Sequence, residues 1–124
     1  MEKIKDYKAK RVVIDSLDIF NLLFSDPFER RVAIHNLVTK LQNVNCNLFV
    51  ISELETENVD VSVEKLPTSV VDGIILLYYL RTGNVRTRAV EIIKIRGTNH
   101  DKGIHPFKIG KNGITVYPEE KVFR

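Results

Sequence analysis

Apolar positions along the chain gather into short runs separated by polar breaks, and the character of the runs changes from one end to the other. Residues 11–15, Arg-Val-Val-Ile-Asp, and 46–52, Cys-Asn-Leu-Phe-Val-Ile-Ser, are apolar without alternation, which predicts two strands covered on both faces. Residues 1–10 read as the tail of a short amphipathic helix with Ile4 and Tyr7 on one face. Residues 16–24 form a short helix with Leu17, Phe20, Leu23 and Phe24 on one side. Ser25-Asp26-Pro27 starts a longer helix, with Asp26 as its cap and Pro27 at the first helical position. Val32, Ile34, Leu37, Val38 and Leu41 continue its apolar face until residues 43–47 break it.

The second half reads differently. Residues 53–67 are acidic with little periodicity, a surface loop or a short helix. Residues 69–80 form a strand, and Gly83-Asn84 within 81–85 forms a hairpin turn. Residues 86–96 alternate, with Ala89, Glu91, Ile93 and Ile95 opposite Val90, Ile92 and Lys94. After a loop at 97–103, residues 104–109 and 114–117 make two short strands around Gly110-Lys-Asn-Gly113. The order β-α-β followed by antiparallel hairpins predicts an α/β fold. Its parallel strands are flanked by helices, and C-terminal antiparallel hairpins extend the sheet. A chain of 124 residues suits a single domain with a real core.

Charge adds an asymmetry. Residues 1–45 carry eight basic and six acidic side chains, residues 46–80 one and six, and residues 81–124 ten and four, so the three parts stand at +2, −5 and +6. The basic last third suits phosphate, nucleic acid or an acidic neighbouring subunit, or is simply a solvated hairpin face. The lone Cys46 excludes an internal disulfide and fits a reducing compartment, and no Cys or His group has metal-ligand spacing. No apolar run approaches the roughly 20 residues of a membrane span, and the charged N-terminus has no signal-peptide core, so a cytoplasmic protein is expected.

The strongest chemical signal is Val-Val-Ile-Asp15-Ser16. It places a carboxylate at the C-terminal end of a strand, where open α/β sheets bind ligands and where magnesium finds the oxygen it prefers. An Asp that merely caps the next helix accounts for the same pattern. Downstream come Val-Val-Asp72-Gly-Ile-Ile-Leu-Leu, then Arg88-Ala-Val-Glu-Ile-Ile-Lys94-Ile-Arg96-Gly97-Thr-Asn-His100-Asp101, then Phe107-Lys-Ile-Gly-Lys-Asn-Gly113-Ile. This ordered set closely resembles the C-terminal half of a KaiC-like ATPase of the RecA superfamily, of the kind common in archaea, from about residue 10 to residue 117.

The resemblance implies a partial RecA-like sheet and a set of roles. Asp15 matches the Walker B aspartate that positions magnesium, directly or through a water, with Ser16 beside it at the nucleotide. Ser52 and Glu53 match the polar position that senses the γ-phosphate, Ser52 on the nucleotide-binding side and Glu53 on the catalytic side. Lys94 and Arg96 match a basic pair that reaches into the neighbouring subunit's nucleotide, where a guanidinium supplied in trans neutralises charge that develops in phosphoryl transfer. Ser52-Glu53 also reads as a cap for the next segment, and Lys94 and Arg96 as protective charges on an edge strand. His100 and Asp101 read as loop structure.

The chain departs from the family in one large respect, since no Gly-x-x-x-x-Gly-Lys-Ser/Thr occurs in it. Met1 stands where a full-length member would be mid-domain. The expectation is therefore a truncated or split half of an ATPase, or a reduced homologue, that is inactive alone and uses ATP and magnesium only with a P-loop-bearing partner. A homo-oligomer or such a partner chain is expected to cover its open edge. Two other classes compete. One is a PIN-like nuclease with Asp15, Glu53 or Glu55, and Asp72 around a metal. The other is a nucleic-acid binder using Arg81, Arg86, Arg88, Lys94 and Arg96, which lacks the aromatic interleaving of a stacking platform, since Tyr78 and Tyr79 lie before the hairpin and read as partly core.

Overall fold

Asp26 and Pro27 open the longest helix. The computed structural model describes residues 4, 6–44, 46–54 and 69–122 of the chain. In it the Asp26 carboxylate accepts the Glu29 backbone N–H at 3.1 Å, the N-cap bond that satisfies a first-turn donor. The described residues form two compact units, Met1–Val71 and Asp72–Arg124.

In the first unit, strand β1 (Arg11–Asp15) leads through a short helix α1 (Ile19–Leu23) and the longer α2 (Pro27–Gln42) to strand β2 (Asn47–Ile51). The two strands pair in parallel, Arg11 opposite Asn47 and Asp15 opposite Ile51, so their C-terminal ends lie side by side. Leu17, Val38 and Leu41 are buried here. Two expectations are corrected. The strands are not covered on both faces: exposure alternates along each, and Val13 and Phe49, register partners, are 62% and 59% exposed. An apolar run without alternation gives no sign of which face stays open. On the helices, Val32 and Leu23 are exposed. At 100° per residue Val32 lies about 160° around the helix from Ile34, so it falls off the stripe of Ile34, Leu37, Val38 and Leu41. Leu17 and the stacked rings of Phe20 and Phe24, centroids 6.0 Å apart, turn inward in the short segment without Leu23.

The second unit is a four-stranded antiparallel sheet in the order β3 (Gly73–Thr82), β4 (Val85–Ile95), β5 (His105–Gly110), β6 (Gly113–Val116). The predicted α/β class with a parallel part and antiparallel hairpins is present, but the expectation that the hairpins extend the parallel sheet is corrected: among the described residues they form a sheet of their own. The β3–β4 turn is the two residues Gly83-Asn84, with Gly83 at φ +60° in the place that a type II′ turn gives to glycine. The β5–β6 turn closes on Gly113 at φ +108°, a conformation that L side chains rarely adopt.

A bulge corrects the face assignment on β4. Ile74 pairs with Lys94 but Ile75 pairs with Ile92, which leaves Ile93 as an extra residue. Alternation restarts beyond it, so Lys94 shares the face of Leu76, Ala89 and Glu91 and not that of Val90 and Ile92. Ile95 changes sides with it. Tyr78 and Tyr79 also part company: Tyr78 is half-buried with its hydroxyl donating to Glu91, whereas Tyr79 is 56% exposed on the opposite face. No helix among the described residues is long and apolar enough to cross a membrane. Most of the acidic stretch expected at 53–67 lies outside the described residues, Glu55 included.

Candidate functional site

The parallel pairing of β1 and β2 brings Asp15-Ser16 and Ser52-Glu53 to one edge. Asp15 and Ile51 are register partners, and just beyond them the Leu17 N–H donates to the Ile51 carbonyl at 2.9 Å, so the two chains leave the sheet together. The Asp15–Ser16 peptide is cis. Asp15 is exposed, and among the described residues its carboxylate has no hydrogen-bond or ionic partner.

A second aspartate organises this edge, and the sequence reading passed over it. Asp18 occupies the N-cap position of α1 but makes no side-chain cap bond. Its carboxylate instead reaches across to the other chain, accepting the Ser52 hydroxyl at 3.1 Å and the Glu53 backbone N–H at 3.2 Å on each oxygen. The Ser16 hydroxyl oxygen accepts the Asp18 N–H at 3.3 Å. The Ser16 hydroxyl first, and then the Glu53 N–H and the Ser52 hydroxyl, hold the Asp18 carboxyl below its ordinary value of 3.8, against a raising effect of burial. The two carboxylates thus divide the work: Asp18 is committed to fastening the strand ends, and Asp15 is left to face outward. The sequence offered only a second acid three residues after Asp15 at the start of the short helix; that its carboxylate leaves the capping site unused and bonds the other chain is seen in the structure alone.

Lys94 and Arg96 lie in the second unit, at the end of β4 and just after it. Arg96 is held against the start of β3: its N–H donates to the Asp72 carbonyl at 2.7 Å, and its guanidinium Nη1 lies 3.1 Å from the Asp72 carboxylate. Both side chains are exposed, so the ion pair stabilises the fold by at most about 1 kcal/mol and leaves the guanidinium within reach of another anion. Asp72 is therefore Arg96's partner. Among the described residues no group of three or more His, Cys, Asp or Glu stands together as a metal site, and Glu55 lies outside those residues.

His100 and Asp101 serve the loop before β5. The His100 ring Nδ1 lies 2.8 Å from the Asp101 carbonyl. The buried His105 ring sits between two acceptors, Nε2 at 2.7 Å from the Asp101 carboxylate and Nδ1 at 2.8 Å from the Glu120 carbonyl. Only an imidazolium donates from both nitrogens. The Asp101 hydrogen bond, and after it the Glu120 carbonyl, raises the His105 pKa above 6.5, while the His105 bond, and then the Gly103 N–H, lowers Asp101 below 3.8. The histidine's contribution to stability is full below its ordinary value and fades as pH rises through its raised one. The aspartate's is full above 3.8 and fades as pH falls through its lowered one. Thermal unfolding is therefore expected to show this contact at full strength between about pH 4 and 6.5 and weakening as the pH rises beyond that. His105→Gln should flatten that alkaline decline; a decline of unchanged slope would remove the histidine as its cause.

Comparison with known proteins now bears on this geometry. The profile of the family described as "ATPase: KaiC" matches residues 1–121, nearly the whole chain, across both the aspartate edge and the Lys94–Arg96 segment. The chain belongs to this family. The circadian clock oscillator protein KaiC of Parasynechococcus marenigrum is 34% identical over 115 residues, 93% of this chain and 22% of that relative. The KaiC of Nostoc sp. strain PCC 7120 is 33% identical over 115 residues, with 93% and 22% covered. KaiC 1 of Synechocystis sp. strain PCC 6803 is 32% identical over 115 residues, again with 93% and 22%. The chain spans about a fifth of the length of these KaiC relatives, so it corresponds to one portion of them. Membership in the KaiC family favours the ATPase class over the PIN-like one for the chain as a whole.

Proposed function

We propose that this KaiC-family chain is the part of an ATP-hydrolysing unit that carries the Walker B aspartate, Asp15, and a basic pair, Lys94 and Arg96, acting on a neighbouring subunit's nucleotide. The observation that carries the reading is the division between the two aspartates. Asp18 fastens Ser52 and Glu53 beside the end of β1, and that leaves Asp15 exposed and uncommitted at the end of a parallel strand pair. The donors gathered there, the Asp15 carboxylate, the Ser16 hydroxyl and the Glu53 carboxylate, are all oxygen, the set that suits magnesium. Bound there with ATP, magnesium would neutralise phosphate charge. Asp15 would hold the ion, directly or through a water, Ser52 and Glu53 would meet the terminal phosphate, and Ser16 would orient the turn beside it.

A P-loop is absent from these 124 residues, so the phosphate cradle comes from elsewhere, either another chain or another part of the same polypeptide. The open β1–β2 face with Val13, Phe49 and Ile51 exposed, together with the edge strand β3, fits association with like subunits or with such a partner. Isothermal titration of the 124-residue chain is expected to show no tight ATP–magnesium binding, and addition of a P-loop-bearing KaiC-family partner to restore hydrolysis above the partner's own rate. Micromolar one-to-one binding by the chain alone would refute the division of labour proposed.

A further inference from the structure

The β3–β4 hairpin carries a feature that the ATPase reading leaves unused. Tyr79 lies directly opposite Arg88, and Arg81 directly opposite Arg86, so all four side chains project from one face near the turn. The guanidinium carbons of Arg86 and Arg88 each lie 5.1 Å from the centre of the Tyr79 ring, close enough for cation–π attraction. The ring is nonetheless 56% exposed, and all three arginines are exposed. On this face β3 contributes Ile75, Leu77, Tyr79 and Arg81, and β4 contributes Arg86, Arg88, Val90 and Ile92, with no acid among them. Among the described residues no carboxylate pairs with Arg81, Arg86 or Arg88. Like charges directly across a strand pair are destabilising, so Arg81 opposite Arg86 is a local conflict that an anionic ligand would relieve.

We propose that this face, centred on Tyr79 with Arg81, Arg86 and Arg88, binds single-stranded nucleic acid. One base stacks on the exposed part of the Tyr79 ring while the guanidiniums take the flanking phosphates. An aromatic platform set among cations is the combination that holds unpaired bases without regard to sequence. Arg86 and Arg88 lie about 7 Å apart along the strand, so they can meet successive parts of an extended backbone. A duplex keeps its bases stacked away from such a ring. An acidic polypeptide uses the arginines and leaves the ring idle, so Tyr79 decides between the two.

The test is fluorescence anisotropy of the chain with a labelled oligothymidine of about 12 nucleotides, inside the ~4–16 nucleotides of single-strand sites. Binding is expected to weaken with salt. Arg86→Ala and Arg88→Ala should each reduce the salt slope by about 0.7. Tyr79→Ala should weaken binding about tenfold, whereas Tyr79→Phe, which keeps the ring and controls for folding, should bind like the original. Asp15→Asn should leave oligonucleotide binding unchanged, which separates this proposal from the ATPase reading. Three results would overturn it: no binding at low salt, equal affinity of Tyr79→Ala and the original, or thymidine monophosphate binding as tightly as the oligomer. Polyglutamate competing equally well in the original and in Tyr79→Ala, with the oligomer indifferent to Tyr79, would reassign the face to an acidic protein partner.

Discussion

Arg96→Ala should lower ATP hydrolysis, in a mixture of this chain with a P-loop-bearing partner, by about a thousandfold, the lower bound of what a guanidinium supplied in trans contributes to phosphoryl transfer. The fold should survive the change. Arg96 follows the last residue of β4, its main-chain bond to the Asp72 carbonyl does not depend on the side chain, and its ion pair with Asp72 is exposed at both ends. Such a pair contributes ~0–1 kcal/mol, so unfolding of Arg96→Ala should differ little from the original. Asp72→Asn loosens the tether without removing the guanidinium and should have a small effect on rate. Arg96→Lys keeps the charge but not the planar fork and should fall between the two. A mixture that hydrolyses ATP equally well with Arg96→Ala would remove Arg96 from the reaction.

Asp15→Asn should reduce the same hydrolysis by about a hundredfold, since weakening the surroundings of a metal costs ~10–100-fold and loss of the carboxylate itself stands at the upper end. Its thermal stability should be unchanged, because the carboxylate it loses is exposed and unpartnered among the described residues. Asp18→Asn should behave in the opposite way in unfolding experiments. It weakens the bonds to the Ser52 hydroxyl and the Glu53 N–H and should cost about 1 kcal/mol, with hydrolysis reduced only as far as Ser52 and Glu53 lose their places. Equal destabilisation by both variants would mean that the two aspartates do not divide the roles proposed.

The first unit was largely legible in the chain because its signals are local. Asp26-Pro27 set the start of α2 through a bond three residues long, and the break at residues 43–47 set its end. Gly83-Asn84 fixed the β3–β4 turn for the same reason, since a two-residue hairpin demands a positive φ. The ordered set Val-Val-Ile-Asp15-Ser16 followed by Lys94-Ile-Arg96-Gly97 was enough to point to the KaiC family, whose profile matches residues 1–121.

What the chain could not disclose depends on pairing between distant residues. Asp15 and Asp18 are equally acidic in the sequence, and only the parallel register with β2 gives one of them the Ser52 hydroxyl and the Glu53 N–H and leaves the other without a partner. Strict alternation put Lys94 beside Ile92, but a single unpaired residue, Ile93, reverses every side chain beyond it, because the side-chain period of a strand is two. Tyr78 and Tyr79 are adjacent and chemically identical. The pleat alone turns the first toward Glu91 and sets the second among Arg86 and Arg88. Composition and local spacing thus determined the elements, the turns and the family, while partner choice across strands, an energy shared between segments far apart in the chain, was decided only when the sheets formed.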